Sequence, residues 1–312
     1  MKKFVNATHI VGSLYNHDLT LKVSGENSKN PGTEFIAGNI EIATDDAGIN
    51  IVPVHFTYVT AVTGGGKTNT TFTVLKNIID GVYKTVMADG ADNASKFRID
   101  SAIGLNEFYS DRNGAEELIS VKRNEGGFVH AVAAIDEDEK TRNTFDCDIV
   151  ITGVRHIDAD EEKGTTEKAI VKGAIFNFRG DLLPVEFSVI NPKAIAYFED
   201  LGAATNNPVV TRIKGSQISE SIVRRVEEES AFGEPSIKEY KSTRKDFVIT
   251  WAKAEPYEWD DEAVITAMEL KEAMANREVT LAEMKKRNDD YKASRNGGAA
   301  PSSAPANGAF DF

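Results

Sequence analysis

Residues 61–68, AVTGGGKT, set three glycines before a lysine and a threonine, which fits a relaxed phosphate loop of the form G-x-x-x-x-G-K-S/T with Ala61 in place of the first glycine. In such a loop the glycine amides cradle phosphate, Lys67 reaches the outer phosphates and Thr68 meets a magnesium ion. The following TTFTVLKNIIDGV carries Phe72, Leu75, Ile78 and Ile79 at helical spacing, and VHAVAAIDEDE is an apolar run ending in acids suited to that ion. Both halves of an ATPase site are nominally present. Against hydrolysis stands the run before the loop. Val52, Val54, Phe56, Tyr58 and Val62 share one face as in a half-solvated antiparallel strand, whereas phosphate loops serve parallel sheets covered on both faces. The other reading of the segment is a flexible turn whose Lys67 touches phosphate.

A second chemistry is written into KAIVKGAIFNFRGDLLPVEFSVI, two extended runs about a glycine turn. Side chains alternate along a strand, so Ile170, Lys172, Ala174, Phe176 and Phe178 share a face, with Arg179 at the turn. Phenylalanines beside cations suit base stacking with phosphate contact, the need of a single-strand binder; the same face also suits a core. Cations and aromatics interleave again at Lys96, Arg98, Phe108, Tyr109, Lys122, Arg123 and Phe128, and Arg212, Lys214, Arg224 and Arg225 add phosphate-contact candidates. No catalytic triad, metal cluster or dinucleotide loop is legible, so neither catalytic residues nor a cofactor or metal are expected. The five histidines lack metal-ligand spacing. Cys147, the one cysteine, sits in an alternating run as a small core residue, and Trp251 is expected in the core too.

The elements that must position these residues are mostly strands. EFIAGNIEIATDDAGINIVPVHFTYVTAV predicts a β-hairpin, since DDAG separates two extended runs. Further extended runs fall at 96–132, 144–154, 168–190 and 209–252. NPKAIAYFEDL predicts a short helix capped by Asn191 with proline in its first turn. Residues 260–294 change composition to alanine, glutamate, lysine, leucine and methionine, which predicts one or two helices with Thr280 as an internal cap. NGGAAPSSAPANG then has the bias of a flexible linker and ends in AFDF.

With 312 residues, 41% hydrophobic and 27% charged, the chain can bury a sizeable core. Its net charge of −13 argues against a surface basic throughout, but acids cluster at 136–139, 158–162, 227–229 and 255–262, which leaves room for a local basic groove. No apolar run approaches the roughly 20 residues of a membrane span, and the start lacks a signal peptide's apolar segment, so a cytoplasmic location and no membrane partner are expected.

The stretches GKTNTTFTVLKNIIDG, RIDSAIGLNEFY and KGAIFNFRGDLLPVEFSVINPKAIAYFEDL, with the linker ending in Asp311 and Phe312, resemble phage-encoded single-stranded DNA-binding proteins. The resemblance spans most of the chain. It implies a mainly β protein: an OB-fold-like antiparallel barrel with elaborations over 1–255, a C-terminal helical segment over 256–295 and a flexible tail over 296–312. It further implies a non-enzymatic protein of the host cytoplasm that coats single-stranded DNA in phage replication, recombination and repair. The tail, through Phe310, Asp311 and Phe312, would recruit replication or recombination proteins, and the protein could form a homo-oligomer. Tails of this family carry several acids before the last aromatic, whereas this one offers Asp311 and the terminal carboxylate. The alternatives are an ATPase using Lys67 and Thr68, or a β-rich virion protein.

Overall fold

The computed structural model describes residues 4–111, 114–159, 166–228, 236–259 and 265–296. The first half contains β1 (Asn6–His17), β2 (Thr20–Val23), β3 (Glu34–Ala43), β4 (Ile51–Thr60), α1 (Thr70–Ile79), α2 (Val86–Asp89), β5 (Lys96–Ser110) and β6 (Glu117–Val132). The second contains β7 (Asn143–Ile157), β8 (Lys168–Phe176), β9 (Leu182–Val189), α3 (Pro192–Asp200), β10 (Val209–Glu228), β11 (Ser236–Ala252) and α4 (Ala267–Asn296).

The strand pairings close two circuits of the same design. In the first, β1 pairs antiparallel with β3, β3 with β4, β4 runs parallel to β6, β6 pairs antiparallel with β5, and β5 returns to β1. In the second, β7, β8 and β9 pair antiparallel in turn, β9 runs parallel to β11, β11 pairs antiparallel with β10, and β10 returns to β7. Each circuit carries its helix, α1 or α3, between its third and fourth strands. This is the five-stranded Greek-key closure of the OB-fold. The expected mainly β, OB-fold-like architecture is present, and its plan occurs twice within the span read as one barrel. A ladder from Asn6↔Cys147 to Ile10↔Asn143 joins β1 to β7, so both barrels belong to one continuous sheet.

Alternation fixes what faces inward. Val52, Val54 and Phe56 of β4 and Phe97, Ile99 and Ile103 of β5 are buried, each set on one parity as the sequence pattern requires. The first core is closed by Leu75 and Ile78 of α1, whose N-cap Asn69 accepts from the Thr71 amide. The second core stacks Phe145 on Phe187 at 5.1 Å between ring centroids and is closed by Ile195 and Phe198 of α3. The expected cap is in place: the Asn191 side chain accepts from the Lys193 and Ala194 amides, with Pro192 opening the helix.

The segment rich in helix formers is one helix rather than two. α4 opens on a reciprocal cap in which Thr266 Oγ1 accepts from the Glu269 amide at 3.2 Å and Glu269 Oε2 accepts from the Thr266 amide at 2.8 Å. Thr280 caps nothing, because it lies inside the helix and its hydroxyl donates to Asn276 O at 3.0 Å.

Adjacent residues of β5 test this register. Phe97→Ala empties a fully buried position and should lower the unfolding free energy by about 3–5 kcal/mol in urea titration, whereas Arg98→Ala, on the outward face, should change it by less than about 0.5 kcal/mol. Equal losses would mean that the strand's faces are assigned wrongly.

Candidate functional site

OB-folds take oligonucleotides on the outer face of their second and third strands. In the first barrel those strands are β3 and β4, where Asn39 pairs with His55 and Glu41 with Pro53 in register. A cavity of about 530 Å³ lies over this face, and its far wall comes from the other barrel through Gln217, Ser219 and Lys245 of β10 and β11. In the second barrel the matching strands are β8 and β9, whose Lys172, Pro184, Glu186 and Ser188 border a cavity of about 890 Å³. Its opposite wall is Glu107, Leu118 and Ser120 of β5 and β6 together with Met274, Arg277 and Leu281 of α4. Each barrel's outer face is thus walled by the other's fourth and fifth strands. Lys122 and Lys245 line both cavities and stand where the two meet, and together the cavities are called the groove below.

Lys122 is held at the junction over two rings of the second core. Its ammonium lies 4.7 Å from the Phe187 centroid and 4.8 Å from that of Phe247, and it donates to the Glu186 carbonyl. Burial pushes the amine down to about 8, against the pull of the Asp246 and Glu186 carboxylates. Beside it, Arg123 donates to Glu125 Oε1 at 2.8 Å. Burial, and then the Arg123 charge, lower the pKa of His55 across the same groove, so its imidazole is neutral there at pH 7. Lys172 pairs with Glu186 at 3.1 Å on the second face. Lys122, Arg123 and Lys172 are the sequence candidates that the fold brings into the groove.

The remaining candidates lie elsewhere. Lys96 and Arg98 sit on β5 opposite Val132 and His130 of β6, and Arg98 pairs with Asp100 at 3.4 Å. Arg212 makes a two-pronged contact with Asp146 at 2.7 and 2.9 Å, and its guanidinium is held fully charged by that bond. Lys214 reaches the same carboxylate at 3.4 Å and lies 5.4 Å from the Trp251 ring. Trp251 is therefore not core as expected: it faces outward from β11, opposite Lys214, and is half-exposed. Phe176 corrects in the opposite direction. It is buried and stacked on Phe4 at 4.4 Å, which leaves no ring face for a base. Phe178, two residues on, is 89% exposed beside the Arg179 guanidinium. The turn that presents it is held by Asn177 Oδ1, which accepts from the Arg179 and Asp181 amides at 2.9 Å. Phe108 is half-exposed near the end of β5, and next to it the Tyr109 ring is covered by Lys285 of α4 at 5.2 Å.

Lys67 sits in a closed turn rather than a phosphate cradle. The Thr63 amide donates to Lys67 O, the Gly66 amide to Thr63 O, the Lys67 amide to Thr63 Oγ1 and the Asn69 amide to Ala61 O. The turn thus uses the Gly66 and Lys67 amides that a phosphate loop would turn toward its ligand. Of the acids proposed for magnesium, Glu137 is bonded to His9 Nε2 at 3.0 Å instead. Among the described residues no group of three or more histidines, cysteines or carboxylates is placed to hold a metal ion. Cys147 is buried, and burial raises its thiol far above the reactive range.

Lys245, Gln217 and Asn124 also line the groove. Lys245 carries a sequence signal as a cation two residues before Phe247 in an extended run, whereas Gln217 and Asn124 are amides that no local pattern marks. Phe35 and Tyr58 have ring centroids 4.5 Å apart on β3 and β4, a pairing across strands that the linear sequence does not display. Arg224 and Arg225 belong to β10, but their side chains lie outside the described residues, as do Phe310, Asp311 and Phe312. No helix among the described residues is long and apolar enough to cross a membrane.

The strand pairings and the two cavities define a protein of two fused OB-type barrels, each with an outer face bordered by the other. A family model described as YorF matches residues 5–287, and the chain belongs to that family. No curated protein matches it in sequence. Among solved structures it is similar to a deletion mutant of the single-stranded DNA-binding protein from Thermus aquaticus, with a TM-score of 0.45 and 9% identity over 83% of this chain and 98% of that one.

The buried lysine has a signature in stability. Its amine has a lower pKa folded, about 8, than unfolded, so from pH 8 to about 10.5 the unfolded chain binds the extra proton and stability gains with pH. Relative to Lys122→Met, the parent protein should therefore gain on the order of 3 kcal/mol across that window, measured by urea unfolding of both proteins at pH 7 and pH 10.5. A constant difference would place the ammonium in solvent.

Proposed function

We propose that the chain binds single-stranded DNA along the groove, one stretch of strand lying on the β3 and β4 face and the next on the β8 and β9 face. The observation that carries this reading is that Lys122 and Lys245 line both cavities, which sets two cations where the two OB faces meet. Both faces are bordered by the other barrel, which suits a flexible single strand better than a rigid duplex. Phe178, Phe108 and Trp251 add exposed rings outside the slot on which further bases stack. Against the ATPase reading stands the bonding of the Gly66 and Lys67 amides within their own turn. We further propose a role in coating single strands during phage replication, recombination and repair, with the last residues recruiting partner proteins.

Fluorescence anisotropy with a labelled thymidine oligonucleotide should give tight binding, weak binding to duplex, and a log affinity against log salt slope of about −2 to −5. Lys122→Gln with Lys245→Gln should flatten that slope by roughly 1.4, while Lys67→Ala leaves it unchanged. Duplex binding as tight as single-strand binding would reject the groove. Magnesium-dependent ATP turnover abolished by Lys67→Ala would instead make the protein an enzyme.

Deleting residues 309–312 should leave DNA affinity equal or slightly higher and abolish capture of replication proteins from an infected-cell extract. Unchanged capture would remove the recruitment role.

A further inference from the structure

α4 is held to the two barrels by different kinds of contact. Near its start Leu270 and Ala273 pack against the buried cluster that contains Val150, Phe176 and Leu182, so the helix is rooted in the second barrel by apolar contact. Farther along it is bonded to the first barrel through polar groups. Arg277 makes its two-pronged pair with Glu107 of β5, Lys285 pairs with Glu116, and Asn288 and Lys292 donate to Glu116 Oε1 at 2.7 and 2.8 Å. Lys292 also lies 3.4 Å from Asp111. Arg277, Lys285, Asn288 and Lys292 follow one another at eight, three and four residues, which places them on one face of the helix.

Root and latch stand on opposite walls of the second cavity. β8 and β9 form one wall, Glu107, Leu118 and Ser120 belong to the other, and Met274, Arg277 and Leu281 line the space between them. About 890 Å³ stays open against the helix, so α4 roofs this space without filling it. The latch weakens outward. The Arg277 side chain, nearest the root, is 12% exposed, whereas those of Lys285 and Lys292 are 49% and 39% exposed, where ion pairs hold weakly and salt screens them.

We infer that α4 is a strap across the second half of the groove: its outer end releases the first barrel to admit a single strand onto the β8 and β9 face and then closes over it. The inference rests on the single-strand reading above. A strand with free ends can slide beneath a closed strap, but a covalent circle enters only when the strap opens. The protein would then hold a strand by enclosure as well as by contact.

The test uses the full chain carrying Glu116→Cys and Asn288→Cys, joined by a reducible bismaleimide linker; the native Cys147 is buried and does not compete. The probes are a closed thymidine circle and the same oligonucleotide left linear. Linked after binding, the protein should stay on the circle in about 1 M salt, where ion pairs are screened, and come off when the linker is reduced or the circle is cut. The linear strand should leave in the same salt. Linked before mixing, the protein should gain no such resistance on the circle. Should the cysteine variant misfold, Lys285→Glu with Lys292→Glu sets like charges against Glu116 and Asp111 at exposed positions, and should speed dissociation from single strands on the order of tenfold. Lys286→Glu with Arg287→Glu makes the same change of net charge away from the latch and should leave the rate within about twofold. Release of the linked protein from the circle as readily as from the linear strand, or equal effects of the two charge reversals, overturns the strap and leaves the single-strand reading standing. Failure of the parent protein to bind any single strand overturns that reading and this one with it.

Discussion

β10 loses its neighbour β7 after Ser216, and the peptide groups that follow must find partners or stand unpaired at an edge. Asparagines supply them. Asn50, in the turn between β3 and β4, offers its amide as a strand would offer a peptide group: Oδ1 accepts from the Ser219 amide at 2.6 Å and Nδ2 donates to Gln217 O at 3.3 Å. Asn143 Nδ2 donates to the same carbonyl at 2.6 Å, and Asn124 holds the Gln217 side chain. Two of these asparagines belong to the first barrel, so the arm of the second is pinned against its partner's outer face by directional bonds rather than by apolar burial. The width of the groove, the stacking of Lys122 on Phe187 and Phe247, and the placement of Lys245 follow from that seam.

Much of the architecture could be read in the sequence because strand parity is a strong signal. The burial of Val52, Val54 and Phe56, the two arms about Arg179 and Gly180, and the cap at Asn191 all follow from spacing. Parity cannot say which face closes inward, and this is where Phe176 and Trp251 exchanged roles. Nor does it reveal closure. The parallel contacts of β4 with β6 and β9 with β11 join strands separated by a helix, and no local residue marks them, so the repetition of one plan stayed hidden. The groove was harder still to read, since its polar floor is made of amides from strands far apart in sequence, and the interleaved aromatics and cations pointed largely to other surfaces.

The acidic charge of the chain is visible inside the groove as well as around it. Arg123 rests on Glu125 and Lys172 on Glu186, so these cations already have an anion beside them. Lys122 differs in having two ring faces and a carbonyl as its nearest company, with the Asp246 and Glu186 carboxylates acting on it only through their field. α4 narrows the second half of the path. Its Arg277 meets Glu107 in a two-pronged pair that is nearly closed to solvent, and Lys285 and Lys292 both reach Glu116.

β1 has neighbours from three parts of the chain: β3, β5 and β7 all hydrogen-bond to residues between Asn6 and His17. This strand is made before all three partners, and its pairing with β5 waits for about eighty more residues and its ladder to β7 for roughly fifty beyond that. Of these four strands the first made is among the last to be fully satisfied. Until β7 arrives, the edge from Asn6 to Ile10 is a free strand template on a nascent chain, and neighbouring chains on one messenger are the nearest strands able to occupy it.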